Sequence, residues 1–375
     1  VPNDRHDPPT PAADATRGVP RMTAGHLAQA PPVSGGGGSR RALRPAAIRA
    51  GGALLAAGLL VLAALASLAI GSKAIPPGDV LRLLFHPDGT DAAFVVHDMR
   101  VPRTLLGIGV GAALALAGAL MQALTRNPLA DPGILGVEAG AVVAIAVAVG
   151  PFGLHNLPGF IWFSFAGSAA AATVVYLIGS TGRGGVTPVR LALAGMAVSA
   201  ALACSTQALV LVDPEAFERF RHWGTGALSG HDLSVAVQVA PFMAVGTALA
   251  LSLGRPLNLL ALGDDAGRAL GARPGRTRLL GAIAVTLLCG AATAAAGPIG
   301  FVGLVVAHAA RLLVGPDNRW SLLYAALLGP VLVLVADITG RLVLWPAELE
   351  AGVVTALVGM PVFIALARRR RLARL

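Results

Sequence analysis

The sequence predicts an all-α membrane protein: a bundle of about ten transmembrane helices with both ends on the same side. Three observations carry this expectation. Hydrophobic residues make up 55% of the 375 and charged residues only 13%, a balance outside the range of soluble domains. Mean hydropathy is +0.73, and the apolar residues fall into runs near the roughly 20 residues that a membrane-spanning helix needs. The runs are continuous and rich in Ala, Leu and Gly, which argues against the alternating pattern of a barrel.

Residues 1–45 hold many Pro, Gly, Ala and Arg, including the Gly35 to Gly38 run, with no sustained apolar period. They read as a disordered basic tail on the cytoplasmic side, ahead of a ten-span domain over 46–375. No charged-then-apolar cleavable signal opens the chain, so the first apolar run is expected to stay as a span. The expected spans are 51–71, 104–124, 133–150, 159–179, 191–212, 233–254, 279–297, 298–314, 321–340 and 349–367. The third starts at Gly133 and carries Glu138; the eighth follows Gly297-Pro298 with almost no loop and carries His308 and Arg311. Such breaks are tolerated where neighbouring helices or water satisfy the freed backbone groups. Gly107, Gly109, Gly111 and Gly118 let helix backbones approach closely.

An even number of spans puts both termini on one side, and basic residues say which. With the ends inside, inner loops and the C-terminal tail hold fifteen Lys or Arg against seven outside, before the seven Arg of residues 1–49 are counted. The net charge of +10 does not indicate nucleic acid, because the basic residues sit between apolar spans rather than on a soluble face. Cys204 and Cys289 lie inside spans and read as small buried residues, giving neither a disulfide framework nor a thiolate metal site. The single lysine, Lys73, is followed by Ala74, so no phosphate-cradling G-x-x-x-x-G-K-[ST] loop is present. ATP hydrolysis would therefore fall to another subunit. An ion-coupled transporter would need intramembrane relay groups, and the candidates are few: Glu138, His308, Asp337 and Glu348.

The stretch Arg100 to Ala141, RVPRTLLGIGVGAALALAGALMQALTRNPLADPGILGVEAGA, joins an apolar helix to an Asn-Pro…Asp-Pro-Gly turn and a second helix start. Its Arg-x-Pro-Arg opening, Gly-Ala-Leu-Met-Gln core and Asn-Pro-Leu-Ala-Asp-Pro-Gly-x-Leu-Gly exit resemble the permease subunits of type II ABC importers, the iron-siderophore, haem and cobalamin uptake family. The resemblance extends over roughly residues 50 to 370. It implies a non-enzymatic transport subunit in the cytoplasmic membrane, holding no cofactor of its own. It further implies a second permease, identical or related, two ATPases that bind ATP and Mg, and an extracytoplasmic substrate-binding protein.

Site residues follow from the same resemblance. The loop Arg255 to Arg278 is expected to form short interfacial helices between Pro256 and Pro274. Its core, Leu260 to Gly271, resembles the family's ATPase-coupling helices. Asp264, Asp265 and Arg268 would pair charges there, Leu262 and Leu270 would make apolar contacts, and Leu260, Gly263 and Gly271 complete the set. Arg100, Arg103 and Arg341 resemble sockets for acidic residues of the binding protein, a role that suits the bidentate guanidinium; without the resemblance they read as snorkelling anchors. Thr187, Pro188 and Val189, before the fifth span, and Ser205, Thr206 and Gln207 within it are the expected translocation path, although span Ser and Thr often bond only to their own helix.

Two departures from the family pattern stand out. Ala307 replaces the proline that usually precedes His308, softening any kink, and Glu350 replaces a proline, adding an exposed negative charge near the docking face. His308 reads as a packed residue rather than a ligand, with no second His or Cys at ligand spacing. The cargo implied first is a ferric siderophore, with cobalamin and haem as alternatives. An ion-coupled secondary transporter and a non-transporting membrane scaffold remain as rivals of other classes.

Overall fold

The computed structural model describes residues 46–71, 75–86, 88–133, 135–154, 157–181, 188–212, 223–344 and 347–368. The expected tail over 1–45 lies outside them. Every described element is helical. In chain order they are α1 (Ala46–Ala69), α2 (Pro77–Phe85), α3 (Asp91–Phe94), α4 (Val101–Thr125), α5 (Val137–Val149), α6 (Leu157–Ser180) and α7 (Pro188–Val212). After these come α8 (Leu233–Ser252), α9 (Gly254–Ala261), α10 (Asp264–Ala269), α11 (Pro274–Ala296), α12 (Val302–Val314), α13 (Asn318–Val343) and α14 (Ala351–Arg368). A π-helical turn, Val95–Arg100, leads from α3 into α4.

Each expected span has a helix at its place. Seven are long and apolar enough to cross a membrane: α1, the continuous α3–α4 rod, α6, α7, α8, α11 and α13. The chain is a multi-pass membrane protein. The apolar helices α5, α12 and α14 are shorter, and for the first two the structure shows why. Neither begins where its apolar run begins. Gly136 and Phe301 adopt left-handed backbone just ahead of them, at φ 78° and 67°, so α5 starts at Val137 rather than 133 and α12 at Val302 rather than 298.

Both starts lie inside the bundle, where an unpaired amide is expensive. Acidic side chains supply the missing acceptors. The Asp131 carboxylate accepts from the Leu304 amide at 2.9 Å and Glu138 accepts from the Ile299 amide at 2.7 Å. The Asn-Pro…Asp-Pro-Gly turn is thus stitched to the Gly-Pro-Ile-Gly-Phe turn.

Helix α4 is the centre of the bundle, buried along most of its length. It packs on α13 where a Cβ on Gly111 would lie 2.6 Å from the Pro330 Cα. It crosses α12 with Gly118 backbone-to-backbone against Gly303. Leu106, Leu116, Leu120, Leu288, Leu304 and Leu322 fill the space between these crossings. Cys289 is buried in that core, whereas Cys204 is exposed on α7, contrary to expectation, because α7 packs along one side only and most of its surface lies outside the bundle.

Candidate functional site

Two polar assemblies stand at opposite ends of α4. At its C-terminal end lie the short helices expected between Pro256 and Pro274, α9 and α10, which the structure folds into a hairpin. Leu257 and Leu260 on α9 bury into the core, each 1% exposed. Leu262 and Leu270, flanking α10, are each 60% exposed. Gly263 and Gly271 permit this arrangement, their φ angles of 105° and 84° being ones that L side chains rarely adopt.

The hairpin is braced from both sides. Arg126 follows α4 in left-handed backbone (φ 51°). Its Nη2 donates to the Leu260 carbonyl at 2.5 Å and to Asp264 Oδ1 at 2.9 Å. Arg278, on α11, donates to both Asp264 oxygens at 2.9 Å. The Arg278 hydrogen bonds, more than Arg126, hold the Asp264 carboxyl below the usual aspartate range. The charges expected to act together therefore divide: Asp264 faces the bundle, while Asp265 and Arg268 pair with each other at 3.0 Å on the exposed side. What remains presented outward is a small surface of Leu262, Leu270, Asp265 and Arg268.

At the other end of α4, Arg100, Arg103 and Arg341 do come together, but not as exposed sockets. They are 5%, 9% and 3% exposed. Arg103 binds Asp337 through Nε and Nη2, the latter at 2.7 Å, and reaches Glu348 through Nη1 at 2.7 Å. Arg341 Nη2 donates to Asp337 Oδ2, which Arg103 Nε also reaches at 3.1 Å. Arg341 also donates to the Ser67 and Ile70 carbonyls, and Arg100 to those of Leu68 and Ala69, at 2.7–3.0 Å. Two guanidiniums thus cap the last turn of α1, satisfying carbonyls that have no partner within the helix and meeting the negative end of its dipole. The guanidiniums were expected to face a partner; the unsatisfied carbonyls of α1 and the buried Asp337 turn them inward.

Glu350 is likewise half-buried rather than exposed, accepting from Ser229 Oγ at 3.4 Å. Along the expected path, Thr187 lies outside the described residues. Pro188 opens α7, and Val189 is exposed beside it. Ser205 and Thr206 donate to the carbonyls of Ala201 and Leu202 at 2.9 and 3.0 Å, bonding within their own helix, and Gln207 faces outward. The relay candidates Asp337, Glu348 and Glu138 are engaged in ion pairs or amide bonds.

Sequence reasoning missed Asn258, Asp317 and Arg49. Asn258 Nδ2 donates to Asp317 Oδ1 at 2.7 Å while its Oδ1 accepts from the Asn318 amide at 2.8 Å. Arg49 reaches Asp317 Oδ2 at 3.4 Å. The available signal was an N-cap pattern, Gly-Pro-Asp-Asn ahead of an apolar run.

The sequence profile of the FecCD transport family matches residues 59–369. The chain is 46% identical over 313 residues to the ferric enterobactin transport system permease protein FepD of Escherichia coli, covering 83% of this chain and 93% of that one. It is 42% identical over 307 residues to the Fe(3+)-citrate import system permease protein YfmD of Bacillus subtilis, covering 81% and 90%. Against the hemin transport system permease protein HmuU of Yersinia pestis it is 37% identical over 319 residues, covering 84% and 94%. Among solved structures, an inward-facing metal-chelate type ABC transporter superposes with a TM-score of 0.73 at 27% identity, over 85% of this chain and 99% of the other.

Proposed function

The chain belongs to the FecCD transport family, and on that premise we propose that it is the permease subunit of an ATP-driven importer of ferric siderophores. The observation that carries the reading is the braced hairpin. Leu262 and Leu270 are exposed apolar side chains on a segment whose other face is locked to α4 and α11. A rigid apolar knob with a flanking charge pair is suited to seating in a cleft of a partner. The partner is a cytoplasmic ATPase, one per permease, which binds ATP and Mg.

In this reading the hairpin end of the bundle is cytoplasmic, which puts both termini inside, in keeping with the excess of basic residues there. The chain crosses ten times, α5 and α12 entering as helices that start within the bundle. A second permease, identical or related, covers an apolar flank, and the path runs between the two past Thr187, Pro188 and Val189 at the start of α7. Ser205, Thr206 and Gln207 belong to the same helix. The loaded binding protein settles on the outer face. Arg100, Arg103 and Arg341 serve there by fixing α1, α4 and α13 beneath that surface. Ferric siderophore is the cargo chosen, because the relatives matched at 46% and 42% identity carry ferric chelates.

Co-purification tests the coupling surface. Replacing Leu262 and Leu270 together by Asp should weaken capture of the ATPase by about a hundredfold or more, since each lost leucine burial removes about 1.5–3 kcal/mol. Membrane insertion should not change. Undiminished capture would remove the hairpin from the interface.

A further inference from the structure

The brace on the hairpin has a second half, on the side away from Arg126. Helix α9 meets the start of α13 so closely that a Cβ on Gly254 would lie 2.9 Å from the Arg319 Cα. One turn on, Asn258 makes the reciprocal pair described above: its amide nitrogen to Asp317, its amide oxygen to the Asn318 backbone. Asp317 is also the N-cap of α13. From there α13 runs without interruption to Asp337 and Arg341, the residues that bind Arg103 and cap α1. Arg49, at the opposite end of α1, returns to Asp317, and the Tyr324 hydroxyl of α13 donates to the Arg49 carbonyl at 2.8 Å. So α13 is held to the hairpin and to the start of α1 at its inner end, and to the end of α1 and to α4 at its outer end.

We infer that Asn258 is a positioning residue for transport, tying the ATPase-coupling hairpin to α13 so that displacement of the hairpin is delivered to the arginine network under the outer face. The inference rests on the permease reading. The physical argument is one of alternatives. Arg126 and Arg278 tie the hairpin to α4 and α11 through the partly exposed Asp264 carboxylate and, for Arg126, the Leu260 carbonyl. Asn258 ties it to α13 through a two-bond amide pair in which donor and acceptor are both used, so register is fixed as well as distance. Without it, α9 keeps the Arg126 bond to its Leu260 carbonyl, which is directed to α4, and toward α13 only close packing, which resists separation but is not directional.

The test uses the assembled complex, permease with its ATPase, in nanodiscs. The labelled background carries Cys204→Ser and Leu342→Cys, the latter placing a thiol on the exposed outer end of α13. The probe is a membrane-impermeant maleimide, with and without ATP plus vanadate. The unaltered clasp is expected to give a nucleotide-dependent change in labelling rate at position 342. Asn258→Ala should reduce that change about tenfold, within the range of a coupling free energy, while ATPase capture and basal hydrolysis persist. Asn258→Asp should do the same by setting two carboxylates together. Adding Asp317→Asn to Asn258→Asp restores a donor opposite an acceptor and should restore the response. An Asn258→Ala complex that captures ATPase and responds fully would overturn the inference, as would a double variant that folds but gives no rescue. Failure of the unaltered chain to capture ATPase would instead count against the permease reading.

Discussion

Arg103 grips Asp337 edge-on, with Nε at 3.0 Å and Nη2 at 2.7 Å from the same carboxylate oxygen, both side chains buried and 234 residues apart in the chain. This pair closes the α4–α13 contact at the N-terminal end of α4, and its removal discriminates a structural from a docking role. Breaking a buried ion pair by deleting one partner leaves an uncompensated charge, at about 3–5 kcal/mol. Asp337→Ala, which leaves Arg103 and Arg341 facing each other, should sharply lower the thermal stability of the detergent-solubilised permease. A variant that melts like the parent and loses only binding-protein capture would return the arginines to the socket role.

The helix crossings give a steric prediction. A side chain on Gly118 would meet the Gly303 backbone, while one on Gly58 of α1 has nothing within 4 Å. Gly118→Leu should cost well above the about 1–3 kcal/mol of ordinary overpacking, seen as loss of monodisperse protein on size exclusion. Gly58→Leu should be neutral.

The acidic clasps inside the bundle predict local exchange. Glu138→Ala orphans the Ile299 amide, at a penalty of about 1–3 kcal/mol. Hydrogen exchange over residues 297–304 should therefore quicken by about five- to a hundredfold, with little change on α8.

Much of this was legible in the sequence. Apolar run lengths located the helices, and Gly297-Pro298 marked the interrupted one. The boundary errors at α5 and α12 arise because an apolar run cannot tell a left-handed residue such as Phe301 from a helical one. The arginines were found by motif, but their orientation was set by the end of α1, more than 30 residues upstream of Arg100, whose carbonyls need donors. Asn258 was invisible because its importance lies in a partner 59 residues away, and a lone Asn between leucines carries no periodic signal.

Asp264 gives a pH prediction. Its carboxyl is held below the usual 3.8, chiefly by Arg278. A depressed folded value means the brace contributes above the unfolded value and is lost only as pH falls through the folded one. Protection of residues 262–272, corrected for intrinsic exchange, should stay flat from about pH 8 to about pH 5. Asp264→Asn should lower it throughout that range. A midpoint near neutrality in the parent would mean another group governs the hairpin.

Uptake of radiolabelled ferric enterobactin, alongside other ferric siderophores, haem and cobalamin, tests the central claim most directly. The cells lack this gene and are complemented by the chain with or without its ATPase. The account predicts restored uptake of a ferric siderophore only when the ATPase is present. Uptake that persists without the ATPase, driven by an ion gradient, would contradict it.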